Sequence, residues 1–117
     1  MATITKQLLS GSTNGKAIQV SGNATASAVT VHTAVGNATD FDEVWIWATN
    51  HDTSAIILTL EWGVANDVAY KLVVTVAASS TELVCPGLII QNSLVVEAFA
   101  GTANKINLFG YVNRLDY

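Results

Sequence analysis

The chain is 117 residues long, 50% hydrophobic and only 12% charged, with a formal net charge of −4. This length suits one domain around one core. The basic residues (Lys6, Lys16, Lys71, Lys105, Arg114) are scattered, so no patch dense enough for phosphates exists and nucleic acid is excluded as a partner. With a charged fraction well below the ~25% of ordinary soluble domains, the polar surface must come from Thr, Ser, Asn and Gly, which suits association.

Cys85 is the only cysteine, so no internal disulfide can form, which fits a reducing compartment. The apolar runs are cut by Asn, Ser, Gly or Glu well short of the roughly 20 residues of a membrane span. The opening MATITKQLLSGSTNGK lacks a basic segment followed by an apolar one, so no secretion leader is expected. The expectation is a soluble protein assembled on the cytoplasmic side, without membrane contact.

Residues 1–22 are rich in Thr, Ser, Gly, Gln and Asn, with apolar patches at Ile4–Leu9 and Ala17–Val20. Such a segment reads either as an extended arm able to add along a sheet edge or as an ordinary first strand. Residues 23–117 form the domain proper. Over Ala24–Ala34, Val29 and Val31 alternate with Thr30 and His32, predicting a half-buried strand with His32 on its polar face. GNAT at 22–25 and again at 36–39 reads as repeated turn chemistry, not as duplication.

The stretch 40–63, DFDEVWIWATN-HDTS-AIILTLEWG, holds all three tryptophans and reads as two paired strands around a polar turn. In the second strand Ile56, Leu58, Leu60 and Trp62 form a core face opposite Ile57, Thr59 and Glu61. In the first, Val44, Ile46 and Ala48 oppose Trp45, Trp47 and Thr49. A strand apolar on both faces is usually covered on both, so a loop, the N-terminal arm or another subunit must cover Trp45 and Trp47. Further on, Tyr70, Leu72, Val74 and Val76 alternate with Lys71, Val73, Thr75 and Ala77. Pro86-Gly87 is expected to break the chain, Pro86 marking a strand end or edge. In the last segment Ile106, Leu108 and Val112 share one face and Asn107, Phe109 and Tyr111 the other, with Gly110 at a bulge or close approach. About eight short, β-branched strands at turn spacings of about 8–12 residues predict an antiparallel β-sandwich or jelly roll, all-β.

Aromatic and apolar residues gathered on outward faces point to an oligomer or docking surface: Trp45, Trp47, Phe99, Phe109 and Tyr111, with Ile4, Leu8 and Leu9 from the N-terminal segment. No nucleophile, base and orienting group fall into a recognisable triad, so no catalytic residue is assigned and no enzyme is expected. Cys85 reads as a small buried hydrophobe. Asp40, Asp42 and Glu43 read as an acidic turn, a solvated charge patch more than a site for a hard cation. No metal and no cofactor are assigned. Trp45, Trp47 and Trp62 also admit a stacking platform for sugar rings, with few charged or amide groups nearby to orient hydroxyls.

DEVWIWATN, the second apolar strand ending in EWG, PGLII and the closing EAFAGTANKINLFGYVNRL together cover much of 42–115. In this layout the chain resembles small virion proteins of tailed bacteriophages. The resemblance implies a β-sandwich coat component of the capsid decoration or cement type. Such a protein forms a homo-oligomer, with a trimer favoured, sits on the capsid exterior after assembly in the host cytoplasm, and bridges subunits of the major capsid protein. Two other functions stay open: a carbohydrate-binding module of a tail or spike, and another virion component such as a tail or head-completion protein.

Overall fold

The computed structural model describes residues 2–117. Among them run nine strands: β1 (Thr3–Leu8), β2 (Ile18–Gln19), β3 (Val29–Thr33), β4 (Phe41–Asn50), β5 (Ile56–Trp62), β6 (Lys71–Val76), β7 (Ser80–Ile90), β8 (Val95–Ala100) and β9 (Ile106–Asp116). Two 3-10 turns, Thr25–Ser27 and Val68–Tyr70, are the only helical pieces among the described residues. The strands form two antiparallel sheets. Sheet A is ordered β1-β9-β4-β7, with β2 pairing further along β9, and sheet B is ordered β3-β8-β5-β6. The fold is thus all-β and sandwich-like, with one strand more than the turn spacing suggested.

Period-two alternation builds the core. On β4, Val44, Ile46 and Ala48 point inward, as do Ile106, Leu108 and Val112 on β9, and they meet Leu58 and Leu60 of β5 and Val96, Ala98 and Ala100 of β8. The stretch 40–63 is not a hairpin. β4 pairs with β7 and β9, β5 pairs with β6 and β8, and the two lie in opposite sheets. Each has an apolar inner face, so they bury more by facing one another across the core than by lying side by side. The corner between them is held by buried Asn50, whose Nδ2 donates to Ser54 O (2.9 Å) and Val76 O (3.0 Å).

Three further expectations change. β3 begins at Val29, and its pairing to β8 shifts between Thr30 and His32. That bulge suspends alternation, so Val31 and His32 both turn inward, and His32 is only 1% exposed instead of lying on a polar face. Pro86-Gly87 does not interrupt the strand, since β7 runs through it, although Pro86 does lie on an edge strand as one of its two readings had it. The missing N–H is accommodated where the register to β4 shifts, between Val44 and Trp45. On the side of β5 opposite its core face, Ile57 is exposed but Thr59 and Glu61 are buried. Glu61 is buried where its carboxylate accepts from Thr25 Oγ1 (2.7 and 2.9 Å) and from the Asn66 N–H (2.6 Å), tying a 3-10 turn and a loop over the sheet.

Gly110 is a close approach, not a bulge. It lies opposite Ile46 in unbroken β4–β9 register, and a Cβ there would stand 2.0 Å from the Trp45 carbonyl oxygen. With no side chain at this point, the two strands bring Trp45 beside Tyr111 and Trp47 beside Phe109.

Candidate functional site: the outer face of sheet A

Alternation that sends Val44, Ile46 and Ala48 inward sends Glu43, Trp45, Trp47 and Thr49 outward. The β9 register adds Asn113, Tyr111, Phe109 and Asn107, and β1 adds Ile4, Lys6 and Leu8 opposite Leu115, Asn113 and Tyr111. From β7 come Ile89 opposite Glu43, Pro86 opposite Trp45 and Leu83 opposite Trp47. Ile4, Leu8, Leu83, Ile89 and Phe109 are all exposed. Four strands about 4.8 Å apart and about nine residues long give this face roughly 600 Å². That approaches the ~800 Å² per partner of a standard protein interface.

Its centre is aromatic. The ring centroids of Trp45, Trp47 and Tyr111 lie 6.4, 6.5 and 6.1 Å apart with interplanar angles of 15–26°. Three nearly equal separations make a triangle, so the rings form a patch and not a column. Trp45 lies over Gly87 of β7, where a Cβ would come within 2.8 Å of its ring; at φ +74° the position also favours glycine on backbone grounds. A polar rim holds the patch in place. Trp45 Nε1 donates to Glu43 Oε1 (2.7 Å), and Asn113 Nδ2 donates to the same oxygen (3.1 Å). These two hydrogen bonds hold the Glu43 carboxyl below its ordinary range. Lys6 Nζ stands 4.7 Å from the Tyr111 centroid, a cation on a ring face.

Of the residues expected to form an interaction surface, Ile4, Leu8, Trp45, Trp47, Phe109 and Tyr111 come together here. Leu9 does not: it is 2% exposed and belongs to the core, because the chain leaves β1 at Leu8 and turns inward. Phe99 lies on the outer side of sheet B, opposite Thr59, with Lys71 Nζ 5.6 Å from its ring. Trp62 is on the inner side of β5 and packs against the core, so a three-tryptophan platform does not exist. Sequence reasoning missed the rim of Lys6, Glu43 and Asn113. Strand period placed Glu43 with Trp45, but the cross-strand register that delivers Asn113 and Lys6 has no local signal.

The acidic turn is also different from expectation. Asp42 and Glu43 are both in β4, and alternation sends them to opposite faces. Asp42 is fully buried. Its Oδ1 accepts from Arg114 Nε (2.7 Å), and its Oδ2 accepts from Arg114 Nη2 (3.0 Å), the Val35 N–H (3.1 Å) and His32 Nε2 (2.7 Å). Burial works against the charge on Asp42, but the hydrogen bonds from Arg114 and His32 outweigh it and hold the carboxyl below its ordinary value. His32 Nδ1 accepts the Ser10 N–H (3.1 Å), so the ring hydrogen is on Nε2 and points at Asp42. The Ser10 hydroxyl accepts the Thr33 N–H (2.7 Å) and is not bonded to the imidazole. A His–Asp pair buried this way joins β3, β4, β9 and the loop after β1, and presents no base to solvent. Cys85 is buried, burial pushes its thiol up to about 11, and its Sγ donates to Val44 O. Among the described residues no group of three or more His, Cys, Asp or Glu is placed to hold a metal ion.

Compared with known proteins, the chain matches no family model, no curated protein and no solved structure.

Proposed function

We propose that this protein is a non-enzymatic virion structural protein of the capsid decoration or cement type. In this reading it self-associates and lays the outer face of sheet A onto the major capsid protein, bridging neighbouring subunits by buried area and geometry. The observation that carries the reading is that face: an ordered aromatic patch, flanked by exposed Ile4, Leu8, Leu83, Ile89 and Phe109, on the outside of a sandwich whose core is already complete without it. The strand orders β1/β2-β9-β4-β7 and β3-β8-β5-β6 support a jelly roll, an arrangement found in viral capsid and lectin domains.

The test is co-sedimentation with tailed-phage shells that lack this protein. Wild type is expected to pellet with the shells. Trp47→Lys, which places a charge at the centre of the patch, is expected to stay in the supernatant while keeping the wild-type circular-dichroism spectrum and a cooperative melt, lowered only by the loss of its ring contacts with Trp45 and Tyr111. Failure of wild type to pellet, or pelleting of both, overturns the reading. A sugar-binding role has one observation in its favour: the Glu43 carboxylate, positioned by Trp45 and Asn113 beside the rings, has the chemistry that orients hydroxyls. Glycan-dependent quenching of tryptophan fluorescence by a chain that ignores shells would assign that role instead.

A further inference from the structure

The four sheet edges are treated unequally. β7 carries Pro86 and two register shifts, features that block addition of another strand. β3 is capped by the chain after β1: the Gly11 N–H donates to Val31 O (2.9 Å), and the Thr33 N–H donates to Ser10 Oγ (2.7 Å). β6 is tied at its end, where Val76 O accepts from Asn50 Nδ2. β1 has none of these. It pairs with β9 without a shift from Thr3 to Leu8, contains no proline, and makes no hydrogen bond along its other edge among the described residues. Its one charged side chain, Lys6, which would otherwise guard the edge, is drawn onto the Tyr111 ring. Every residue of β1 except half-buried Gln7 is exposed, Ile4 by 66%. A strand held along one edge only, with neither face covered, is a template for a further strand.

Resting on the reading of this chain as self-associating, we infer that the occupant of this edge is β1 of a second copy. The two strands run antiparallel about a two-fold axis at Thr5 and join both A sheets into one continuous sheet. The sequence TITKQL selects that register. Matching outer faces requires residues of like parity to oppose one another, which leaves a centre at Thr5 or at Lys6. Centring on Lys6 sets the two ammonium groups opposite one another, which is unfavourable. Centring on Thr5 pairs Thr5 with Thr5, Thr3 with Gln7 and Ile4 with Lys6, and carries the aromatic face of one copy into that of the other. A closed two-fold contact uses the same edge on both copies and leaves none free.

Cysteine cross-linking of the full chain tests this, since native Cys85 is buried and does not compete. Across an antiparallel pair Cα atoms are about 4.5–5.5 Å apart, within disulfide reach. Thr5→Cys is therefore expected to give a covalent dimer under mild oxidation. Thr3→Cys and Gln7→Cys, each about 14 Å from its symmetry mate, are expected to cross-link only when mixed with one another. By analytical ultracentrifugation the wild type is expected to dimerise. Ile4→Glu should tighten the dimer by facing the partner's Lys6, and Ile4→Lys should weaken it, each by roughly 2- to 30-fold. All these side chains lie outside the core, and circular dichroism checks that each variant folds. A monomer at every concentration, a trimer, or cross-linking at Thr3 alone as fast as at Thr5 overturns the inference. Shell binding by a monomer would leave the docking of the outer face onto shells standing without self-association or this pairing, and a dimer indifferent to shells would do the reverse.

Discussion

Replacing Asp42 by Asn changes one atom and tests the buried cluster that joins the strands. Three donors converge on Oδ2, from His32, Val35 and Arg114, and only Arg114 Nε addresses Oδ1. His32 cannot relieve a mismatch by moving its hydrogen, because Nδ1 already accepts from Ser10. The amide therefore keeps its oxygen at the Oδ2 position and turns its NH2 toward Arg114 Nε. The hydrogen bond from Arg114 Nε is lost and those kept at the Oδ2 position lose the carboxylate's charge, the first loss alone being about 1.5–3 kcal/mol. The Arg114 side chain is 26% exposed, so water takes over part of its solvation, and about 2 kcal/mol is the expected cost. At about 2.1 cal/mol/K per residue the unfolding entropy of this chain is about 0.25 kcal/mol/K, so Tm should fall by about 8 °C at neutral pH.

Acidity supplies the second half of that test. The folded Asp42 carboxyl is held below its ordinary value of 3.8, so its ionised form stabilises the fold above that value. The contribution is lost as pH falls through the lower, folded pKa. The difference in Tm between wild type and Asp42→Asn should be full at pH 7 and should close as pH drops below the ordinary carboxyl value. Asp40 and Glu43, also held below their ordinary ranges, titrate in both proteins and cancel. Thermal melts by circular dichroism across pH read this directly. Equal melting at pH 7, or a gap that persists unchanged to about pH 3, refutes the reasoning.

Where side chains alternate without interruption, the structure could be read from sequence. The two faces of β4, the core face of β5 and the inward Ile106, Leu108 and Val112 of β9 all follow period two, and so does the grouping of Trp45 with Trp47. What could not be read depends on partners distant in sequence. Whether 41–50 and 56–62 pair or face each other is a choice between burying apolar faces and satisfying strand edges, and both strands have other partners available to satisfy their edges. His32 was misplaced because a bulge has no composition signal: VTVHT alternates perfectly on paper and irregularly in the sheet. Asp42 looked like one member of an acidic turn, since the Arg114 that neutralises it stands 72 residues away.

The outer face of sheet A was legible in proportion to how much of it lies on one strand. Trp45 and Trp47 on β4, and Phe109 and Tyr111 on β9, were gathered from alternation alone. Leu9 was misassigned because an apolar run gives no sign of the residue at which a chain turns inward. Phe99 does face outward, but from the other sheet, because outward on one sheet and outward on the other look the same in sequence.

Three further outcomes are expected. Cys85, buried and with its thiol raised to about 11, should resist a colorimetric thiol reagent at neutral pH in the folded chain and react at once in denaturant; prompt reaction of the folded chain contradicts its placement. Glu61→Ala leaves the Thr25 hydroxyl and Asn66 N–H without their acceptor and should cost about 1–3 kcal/mol, with hydrogen exchange faster in the 63–67 loop and unchanged in β9. Gly110→Ala is the severest. Its Cβ would meet the Trp45 carbonyl oxygen at 2.0 Å and Ile46 Cα at 3.2 Å, backbone atoms that no rotamer change can move aside. Relief requires separating β9 from β4 at the centre of sheet A, where the unbroken ladder pairs Trp45 with Tyr111 and Trp47 with Phe109 on either side. A cost above the usual 1–3 kcal/mol for overpacking is expected, with loss of soluble folded protein as the extreme. Gly36→Ala, where the added Cβ meets only Ser93 Oγ at 3.4 Å, is the control. If the two variants melt within a few degrees of each other, the close approach at Gly110 is wrong, and with it the register that assembles the aromatic patch.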